Sequence, residues 1–257
     1  MAYAQAAQRP IPGAVATLGV SDRVTFLRKT YAHLGGALIA FAVVTWAIMN
    51  FMTGLSWKLV TMGQFAWLGV FALFMVANVV AQKLAMSETS RGIQYVGLGI
   101  QVVSWALMFQ PILWFVMIKF GNRADLLRGD QIQVALSASA ASVILQATII
   151  TLAIFIGLTV TVFVTRKDFS FLRGVLSICT FAALGTIVAS LLFGFTLGAL
   201  FSGLIVLLMA GYILHQTSLV MSYFPPTAHV AAAMMLFATV ATLFMHVLNI
   251  VASVRDR

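Results

Sequence analysis

The sequence predicts an all-α membrane protein, a bundle of seven transmembrane helices, and two observations support this prediction. The first is composition: 62% of the 257 residues are hydrophobic and only 8% are charged, whereas soluble domains carry about 25% charged residues. A soluble fold needs a polar exterior that this composition does not supply. The second is the spacing of the charges. No Asp, Glu, Lys or Arg occurs in 30–57, 59–82, 92–118, 131–165 or 174–254.

A membrane-spanning helix needs about 20 apolar residues, so each of the first four charge-free stretches holds one span. The fifth is long enough for three spans, which Gly194 and Pro225-Pro226 divide. The stretches lack the polar and apolar alternation that strands of a membrane barrel show. The predicted helices are 33–53, 59–81, 93–118, 140–164, 171–192, 195–217 and 228–251.

The chain is expected to have an N-terminal arm, residues 1–25, followed by one membrane domain, residues 26–257. The arm lacks the apolar core of a cleaved signal peptide, so the first span is expected to remain in place. Between the third and fourth spans, residues 119–133 carry three basic and two acidic residues. This segment is expected to be an exposed loop or a short surface helix, either a solvated connector or a docking surface.

The net charge of +9 comes from basic residues scattered over loops and ends, so no nucleic-acid-binding face is expected. The excess of basic residues on one side predicts the orientation, with the N-terminus in the cytoplasm and the C-terminus outside. On the cytoplasmic side lie Arg9, Arg23, Arg28, Lys29, Lys83, Arg91, Arg166, Lys167 and Arg173. On the other side lie Lys58, Lys119, Arg123, Arg128, Arg255 and Arg257.

Polar residues inside the predicted spans are the candidates for function, because polar groups at membrane depth are costly. The most ordered set is a stripe on the seventh span, defined by Thr239, Thr242, His246 and Asn249, whose spacing places them on one face. We expect this span to be the most enclosed and its stripe to face the sixth and second spans. Both interhelical hydrogen bonding and a polar pathway would explain the stripe. The other spans contribute Asn78, Gln82, Gln101, Ser104, Gln146, Thr148 and Thr151.

The sequence favours neither catalysis nor a bound cofactor. No acidic residue lies inside a predicted span, and no nucleophile stands in a recognisable pattern with a histidine and an acid. His215, His229 and His246 lack an accompanying carboxylate and are separated by a loop or several helical turns, so a metal site is not expected. We therefore predict a protein that is not an enzyme.

The segment "FIGLTVTVFVTRKDFSFLRG", residues 155–174, resembles a motif of the Bax inhibitor-1 (TMBIM) family, in its bacterial form. The matching residues are Thr165, Arg166, Lys167, Asp168, Phe169, Ser170, Phe171 and Leu172. The resemblance covers roughly residues 26–251 and implies the family's seven-helix membrane bundle. Locally, Arg166 and Lys167 are expected to anchor the cytoplasmic face, and Asp168 or Ser170 to cap the next helix. The motif is interpreted as a structural corner.

The resemblance also implies an ion site, because family members that leak calcium carry one aspartate on the sixth span and one on the seventh. Gln216 and Thr239 stand at those two positions here, and Thr242 stands where the family has an asparagine. Neutral side chains do not titrate and bind calcium less well than carboxylates, although Gln216 and Thr239 can bond to each other. Lys83 matches a basic residue of the family but has no acids opposite it. His215 is the candidate for any proton response.

Two functions remain open at this point. The first is a structural or regulatory subunit that associates with another membrane complex, such as a membrane protease, within the lipid bilayer. The alternative is a leak pathway for ions or small solutes, resembling a calcium channel but weakened by the loss of the carboxylate pair.

Overall fold

The computed structural model of the chain describes residues 15–17, 19–87, 90–121, 127–128, 131–132 and 136–255. Within these residues there are nine α-helices and two short 3-10 helices, Val15–Thr17 and Ser170–Leu172. The α-helices are α1 Val20–Phe51, α2 Thr53–Thr61, α3 Gln64–Ala85, α4 Arg91–Met108, α5 Gln110–Phe120, α6 Ala138–Thr165, α7 Arg173–Phe193, α8 Ala199–Ser222 and α9 His229–Val254. Seven helical segments are long and apolar enough to cross a membrane, which confirms the predicted all-α, seven-span architecture.

The first span begins earlier than the sequence predicts. Helix α1 starts at Val20, whereas the charge-free stretch suggested a start near residue 33. Arginine and lysine are good helix formers, so the helix continues through Arg28 and Lys29 beyond the apolar stretch. It also crosses the expected boundary between the arm and the membrane domain at residue 25. The rest of the predicted arm, residues 1–14 and 18, lies outside the described residues.

The third span is divided, where the sequence predicts one helix over 93–118. Helix α4 ends at Met108 and α5 begins at Gln110, with Pro111 in its first turn. Proline has no N–H for the helical hydrogen-bond ladder, which accounts for a break at this place. Before α3 there is a further short helix, α2, which the sequence did not indicate. A buried network fixes it: Ser56 Oγ donates to Gln110 Oε1 and accepts from Trp114 Nε1, both at 2.6 Å.

Two connections also differ from expectation. In the 119–133 segment, α5 extends to Phe120, and Leu127–Arg128 pairs antiparallel with Gln131–Ile132. The described part of this segment therefore consists of the end of α5 and a short antiparallel strand pair instead of a surface helix; residues 122–126, 129–130 and 133–135 lie outside the description. Helix α8 was expected to end near residue 217 and instead continues to Ser222, so the polar residues at 215–218 precede the helix end by one turn.

Helix α9 occupies the centre of the bundle. In its most apolar stretch 67% of the residues are buried, the largest share among the seven candidate spans, which confirms that the seventh span is the most enclosed. Aromatic rings pack around it. The Phe109 ring stacks on Phe244 of α9 with a centroid separation of 5.6 Å and meets Phe41 of α1 edge-on at 4.9 Å. At the other extreme, only 6% of the corresponding stretch is buried in α3 and in α7, which therefore lie at the periphery.

We call the end of the bundle that carries residues 166–169 the motif end. The start of α1 lies there beside the connection between α8 and α9. Val15 is fully buried in the core. Its N–H donates a 2.9 Å hydrogen bond to the carbonyl of Phe224, just past the end of α8. Val15 thereby fills a place in the bundle at the motif end.

Candidate functional site

The site is built around four consecutive polar residues on α8, His215, Gln216, Thr217 and Ser218, all of which are buried. Successive side chains on an α-helix point about 100° apart, so four in a row reach four different directions. The helix can bury all four because other spans and the motif corner surround it at this level. The four side chains can therefore contact different neighbours of α8.

Gln216 faces α9. The hydroxyl of Thr239 donates a 2.7 Å hydrogen bond to Gln216 Oε1. The two positions that resemble the family's ion site are thus in direct contact, as the sequence suggested they could be. Both groups are neutral, and the bond occupies the glutamine oxygen with a donor from the neighbouring span.

His215 and Ser218 both face the corner formed by residues 166–169. The Nδ1 atom of His215 lies 3.1 Å from the carbonyl oxygen of Phe169. Because a carbonyl oxygen only accepts, Nδ1 carries the proton in this contact. Ser218 Oγ accepts a 3.2 Å hydrogen bond from the Phe169 N–H and donates to Asp168 Oδ1 at 3.2 Å. His215 is therefore packed inside the bundle, where it holds the corner.

Asp168 is the charged centre of this corner. Its Oδ1 accepts a 2.8 Å bond from the N–H of Ser170, the first residue of the 3-10 helix that precedes α7. The N-cap positions are Phe169 for this 3-10 helix and Leu172 for α7, neither with a side-chain cap, so the prediction that Asp168 or Ser170 caps the next helix is wrong. Its Oδ2 accepts from the Tyr223 hydroxyl at 3.3 Å. Burial acts to raise the pKa of Asp168, but the hydrogen bonds from Ser170, Ser218 and Tyr223 outweigh it and hold the pKa below its usual value. Burial, and then the Asp168 charge and hydrogen bond, raise the pKa of Tyr223.

The two basic residues of the corner differ from the half-buried Asp168 in their exposure to the surroundings. Arg166 and Lys167 are exposed, and Arg166 ends α6 in the left-handed conformation with φ of 50°. Its N–H still donates to the Val162 carbonyl at 2.9 Å. Phe169 is half-buried, and its ring lies 6.3 Å from that of Phe171. The corner is thus attached to α8 through Asp168 and Phe169. The 165–172 motif and the polar residues 215–218, which no sequence pattern connects, therefore meet in the structure.

Two of the four stripe residues on α9 form hydrogen bonds with α8. Thr239 bonds to Gln216, and His246 Nδ1 lies 3.2 Å from Ser202 Oγ on α8. Thr242 donates to the Ala238 carbonyl of its own helix, and Asn249 is half-buried near the opposite end. The contact of α3 with α9 lies ahead of the stripe, where Ala81 and Ala85 pack with Ala228, Val230, Ala231 and Met234. The stripe therefore meets the sixth span, and the second span packs elsewhere.

The remaining polar candidates do not join this site. Four of them bond to a carbonyl of their own helix, four residues earlier: Asn78, Ser104, Thr148 and Thr151. Gln146 is exposed on the outer face of α6, and Lys83 is exposed in the last turn of α3. Gln82 is half-buried, and the buried Gln101 leaves Oε1 without a partner among the described residues.

A second polar cluster at the motif end was missed by the sequence analysis. His33 Nε2 lies 2.9 Å from the Tyr95 hydroxyl, and the ring of His229 meets that of His33 edge-on at 5.0 Å. The residues come from α1, α4 and α9, and no local pattern in the sequence connects them. In the part of the chain that the structure describes, no group of three His, Cys, Asp or Glu residues is arranged to hold a metal ion.

Comparisons with known proteins agree with the architecture. The model of the family described as inhibitor of apoptosis-promoting Bax1 matches residues 23–256. The chain is also similar to Bax inhibitor 1 of Schizosaccharomyces pombe, at 25% identity over 247 residues that cover 94% of this chain and 81% of that protein. The family match includes the 166–169 corner and all seven candidate spans, the first of them from residue 23 onwards. The chain therefore belongs to the Bax inhibitor-1 family.

Proposed function

We propose that the protein is a structural or regulatory subunit, without enzymatic activity, that associates with another membrane protein through α3 and α7. The observation that carries this proposal is the exposure of these two helices, in each of which only 6% of the most apolar stretch is buried. On α7, Val175, Ile178 and Phe181 form an exposed apolar ridge at a spacing of three residues.

Small residues on the same helices support a protein partner. A Cβ atom added at Gly69 of α3 or at Gly185 of α7 would meet nothing within 4 Å. Such open positions let a neighbouring helix approach closely within lipid, where association depends on packing. The partner is thus a transmembrane helix of another protein, packed against small side chains.

Photo-crosslinking in membranes tests this function. A photoreactive residue at Ile178 is expected to yield one discrete protein adduct, and the same residue at Ile39 serves as the control. Both side chains are about 70% exposed and apolar, so lipid reaches both positions. Lipid adducts alone at Ile178, matching those at Ile39, would contradict the proposal.

The alternative, a leak pathway, is favoured by the buried polar residues at 215–218 and disfavoured by the neutral pair at Gln216 and Thr239. We expect calcium efflux from proteoliposomes to equal that of protein-free vesicles. The double substitution Gln216→Asp and Thr239→Asp is expected to create an acid-sensitive flux, because adjacent carboxylates share a proton and bind calcium. Robust efflux through the unmodified protein would favour the leak over the subunit.

The orientation belongs to the same proposal: a bacterial inner membrane, with the motif end in the cytoplasm. The exposed Arg166 and Lys167 at that end support it, since basic residues are retained on the cytoplasmic side. Alkaline phosphatase fused after the C-terminus is expected to be active, and a fluorescent protein that matures only in the cytoplasm is expected to stay dark there. The reverse pair of results would invert the orientation.

A further inference from the structure

A cavity of 510 Å³ lies between α1 and α4 and begins near the motif end. Its polar end is formed by His33 of α1 and Tyr95 of α4, and the rest of its lining is apolar. Ligand pockets in proteins usually measure about 300–1,000 Å³, so the cavity is large enough to hold part of a lipid molecule.

The apolar part of the cavity faces the bilayer. Gly36 and Ala40, one turn apart on α1, and Gly99 on α4 line it and are exposed. A Cβ atom added at Gly36 or at Gly99 would meet nothing within 4 Å, so the two helices leave an open groove between them. Such a groove matches an acyl chain in shape and in polarity.

The polar end of the cavity joins the two helices. His33 Nδ1 lies 2.7 Å from the Lys29 carbonyl oxygen, which only accepts, so Nδ1 carries the proton. The Nε2 atom of the neutral ring then accepts the Tyr95 hydroxyl proton at 2.9 Å. This bond fixes the spacing of α1 and α4 where the groove begins.

Two cations stand just beyond this bond, on the side of the motif end. Lys29 precedes His33 by four residues and Arg91 precedes Tyr95 by four, so each cation lies one turn away on the same helix face. Lys29 directly precedes the charge-free stretch 30–57 and Arg91 directly precedes 92–118. Both charges therefore lie at the edge of the hydrocarbon, at the level of the lipid headgroups.

The surroundings of the two cations favour a negatively charged ligand. The ring of His229 meets that of His33 edge-on at 5.0 Å and lies within reach of both positive charges. Of the acidic residues that the structure describes, Asp168 is bonded within the corner and Asp22 lies two turns before the first cation. Glu88 lies outside the described residues.

We propose that the cavity binds one anionic phospholipid from the leaflet at the motif end. Lys29 and Arg91 hold the phosphate, because its oxygens accept charge-assisted hydrogen bonds from both side chains. One acyl chain lies in the groove beside Gly36 and Gly99. A free phosphate would leave this groove empty, and a zwitterionic lipid would bring a third cation to the same place. The inference does not depend on the association proposed for α3 and α7.

Native mass spectrometry of the detergent-solubilised full chain tests the proposal. We expect one phosphatidylglycerol molecule to stay bound at concentrations at which phosphatidylcholine with the same acyl chains does not. The double substitution Lys29→Gln and Arg91→Gln is expected to weaken phosphatidylglycerol binding roughly 30-fold, the combined effect of two cations beside an anionic lipid.

The matched control for the charges removes two other exposed cations at the same end of the bundle. Arg166→Gln with Lys167→Gln is expected to leave phosphatidylglycerol binding unchanged, because neither residue lines the cavity. Equal binding of the two lipids, or equal losses in the two double variants, would reduce the effect to general attraction between charges and overturn the proposal.

A second pair of variants tests the groove without touching the cations. Gly36→Leu is expected to weaken phosphatidylglycerol binding roughly tenfold, the effect of keeping about two methylene groups of the chain out of the groove. Gly35→Leu is the control, since a Cβ atom there also meets nothing within 4 Å and Gly35 lies outside the cavity lining. Unchanged binding in Gly36→Leu would show that no acyl chain enters the groove, against the proposal.

A photoreactive phosphatidylglycerol, with a diazirine in one acyl chain, locates the site in vesicles that contain the unmodified protein. We expect the label to concentrate around Val44 of α1 and Val103 of α4, which line the deep end of the groove. Label spread evenly over the exposed spans, α7 included, would overturn the proposal.

Discussion

The Thr239 hydroxyl and the Gln216 side-chain oxygen form a buried 2.7 Å hydrogen bond that joins α9 to α8. Inside a membrane such a bond has few competitors, because water is not available to either partner. We expect Thr239→Val to destabilise the fold by about 1 kcal/mol, since it leaves the glutamine oxygen without its donor. The measurement is the free energy of unfolding in detergent.

A double-mutant cycle with Gln216→Met isolates the interaction itself. The coupling energy is expected to be about 0.6 kcal/mol, within the range up to about 1.7 kcal/mol found for bonds between membrane helices. Thr242→Val is the matched control, because that hydroxyl bonds to the Ala238 carbonyl of its own helix. Strictly additive effects of the Gln216 and Thr239 substitutions would show that the bond contributes nothing.

At Gly97 the contact between α3 and α4 leaves no room for a side chain. A Cβ atom at Gly97 would lie 2.6 Å from the Ala81 carbonyl oxygen and 3.1 Å from the Ala85 nitrogen, both backbone atoms that cannot turn aside. We expect Gly97→Ala to destabilise the protein by roughly 1–3 kcal/mol, the usual cost of overpacking.

Gly99, two residues further along the same helix, is the control for that substitution. A Cβ atom there meets nothing within 4 Å, so Gly99→Ala is expected to be neutral or slightly stabilising. The two variants can be compared by the midpoint of thermal unfolding. Equal midpoints would mean that α3 and α4 do not approach as closely as the structure places them.

The end of α6 stores backbone strain at Arg166. Its φ of 50° lies in the left-handed region, which glycine adopts freely and other residues adopt at a cost. Arg166→Gly is expected to stabilise the fold by up to about 1 kcal/mol. Lys167→Gly, at the neighbouring exposed position without a positive φ, is expected to be destabilising. Guanidine or urea unfolding of the two variants gives the comparison, and equal signs for both would refute the strain at Arg166.

The carboxylate of Asp168 makes stability depend on pH. Its folded pKa is lowered, so its contribution is complete above the ordinary aspartate pKa, about 3.9, and is lost as the pH falls through the folded value. Asp168→Asn is expected to cost roughly 1 kcal/mol at pH 7, a modest value because the group is only partly buried.

The difference between this variant and the unmodified protein is expected to shrink as the pH is lowered below about 4. Thermal unfolding at a series of pH values measures it. Asp22→Asn, which changes an exposed carboxylate in the first turn of α1, is the control and is expected to alter the midpoint less. A difference at Asp168 that stays constant to low pH would mean that the charge of Asp168 is not what stabilises the corner.

The spans could be predicted because hydrocarbon selects for long stretches without charge, a property that is read directly from residues such as those of 131–165. The helix ends could not. Helix α1 begins at Val20 and α8 continues to Ser222, at places where backbone hydrogen bonding and packing decide the boundary and hydropathy does not. Pro111 signals the division of the third span, but the apolar character of the whole stretch led to the prediction of one continuous helix.

The site was predicted unevenly for a similar reason. The contact of Gln216 with Thr239 followed from the resemblance to a family in which those positions act together. Asp168 bonds to Ser218 and Tyr223, which lie 50 and 55 residues further along the chain, and nothing local in the sequence links them. Such pairings depend on which helices pack against each other, and no single stretch of the sequence determines that arrangement.

The four directions taken by His215, Gln216, Thr217 and Ser218 restrict how α8 can move. Because its bonds to the corner and to α9 leave from different sides of the helix, neither rotation about its axis nor sliding along it preserves them together. We therefore expect helix α8, the corner and the adjoining part of α9 to move together at the motif end. At the opposite end α8 is preceded by the non-helical residues 194–198, where we expect the chain to bend more easily.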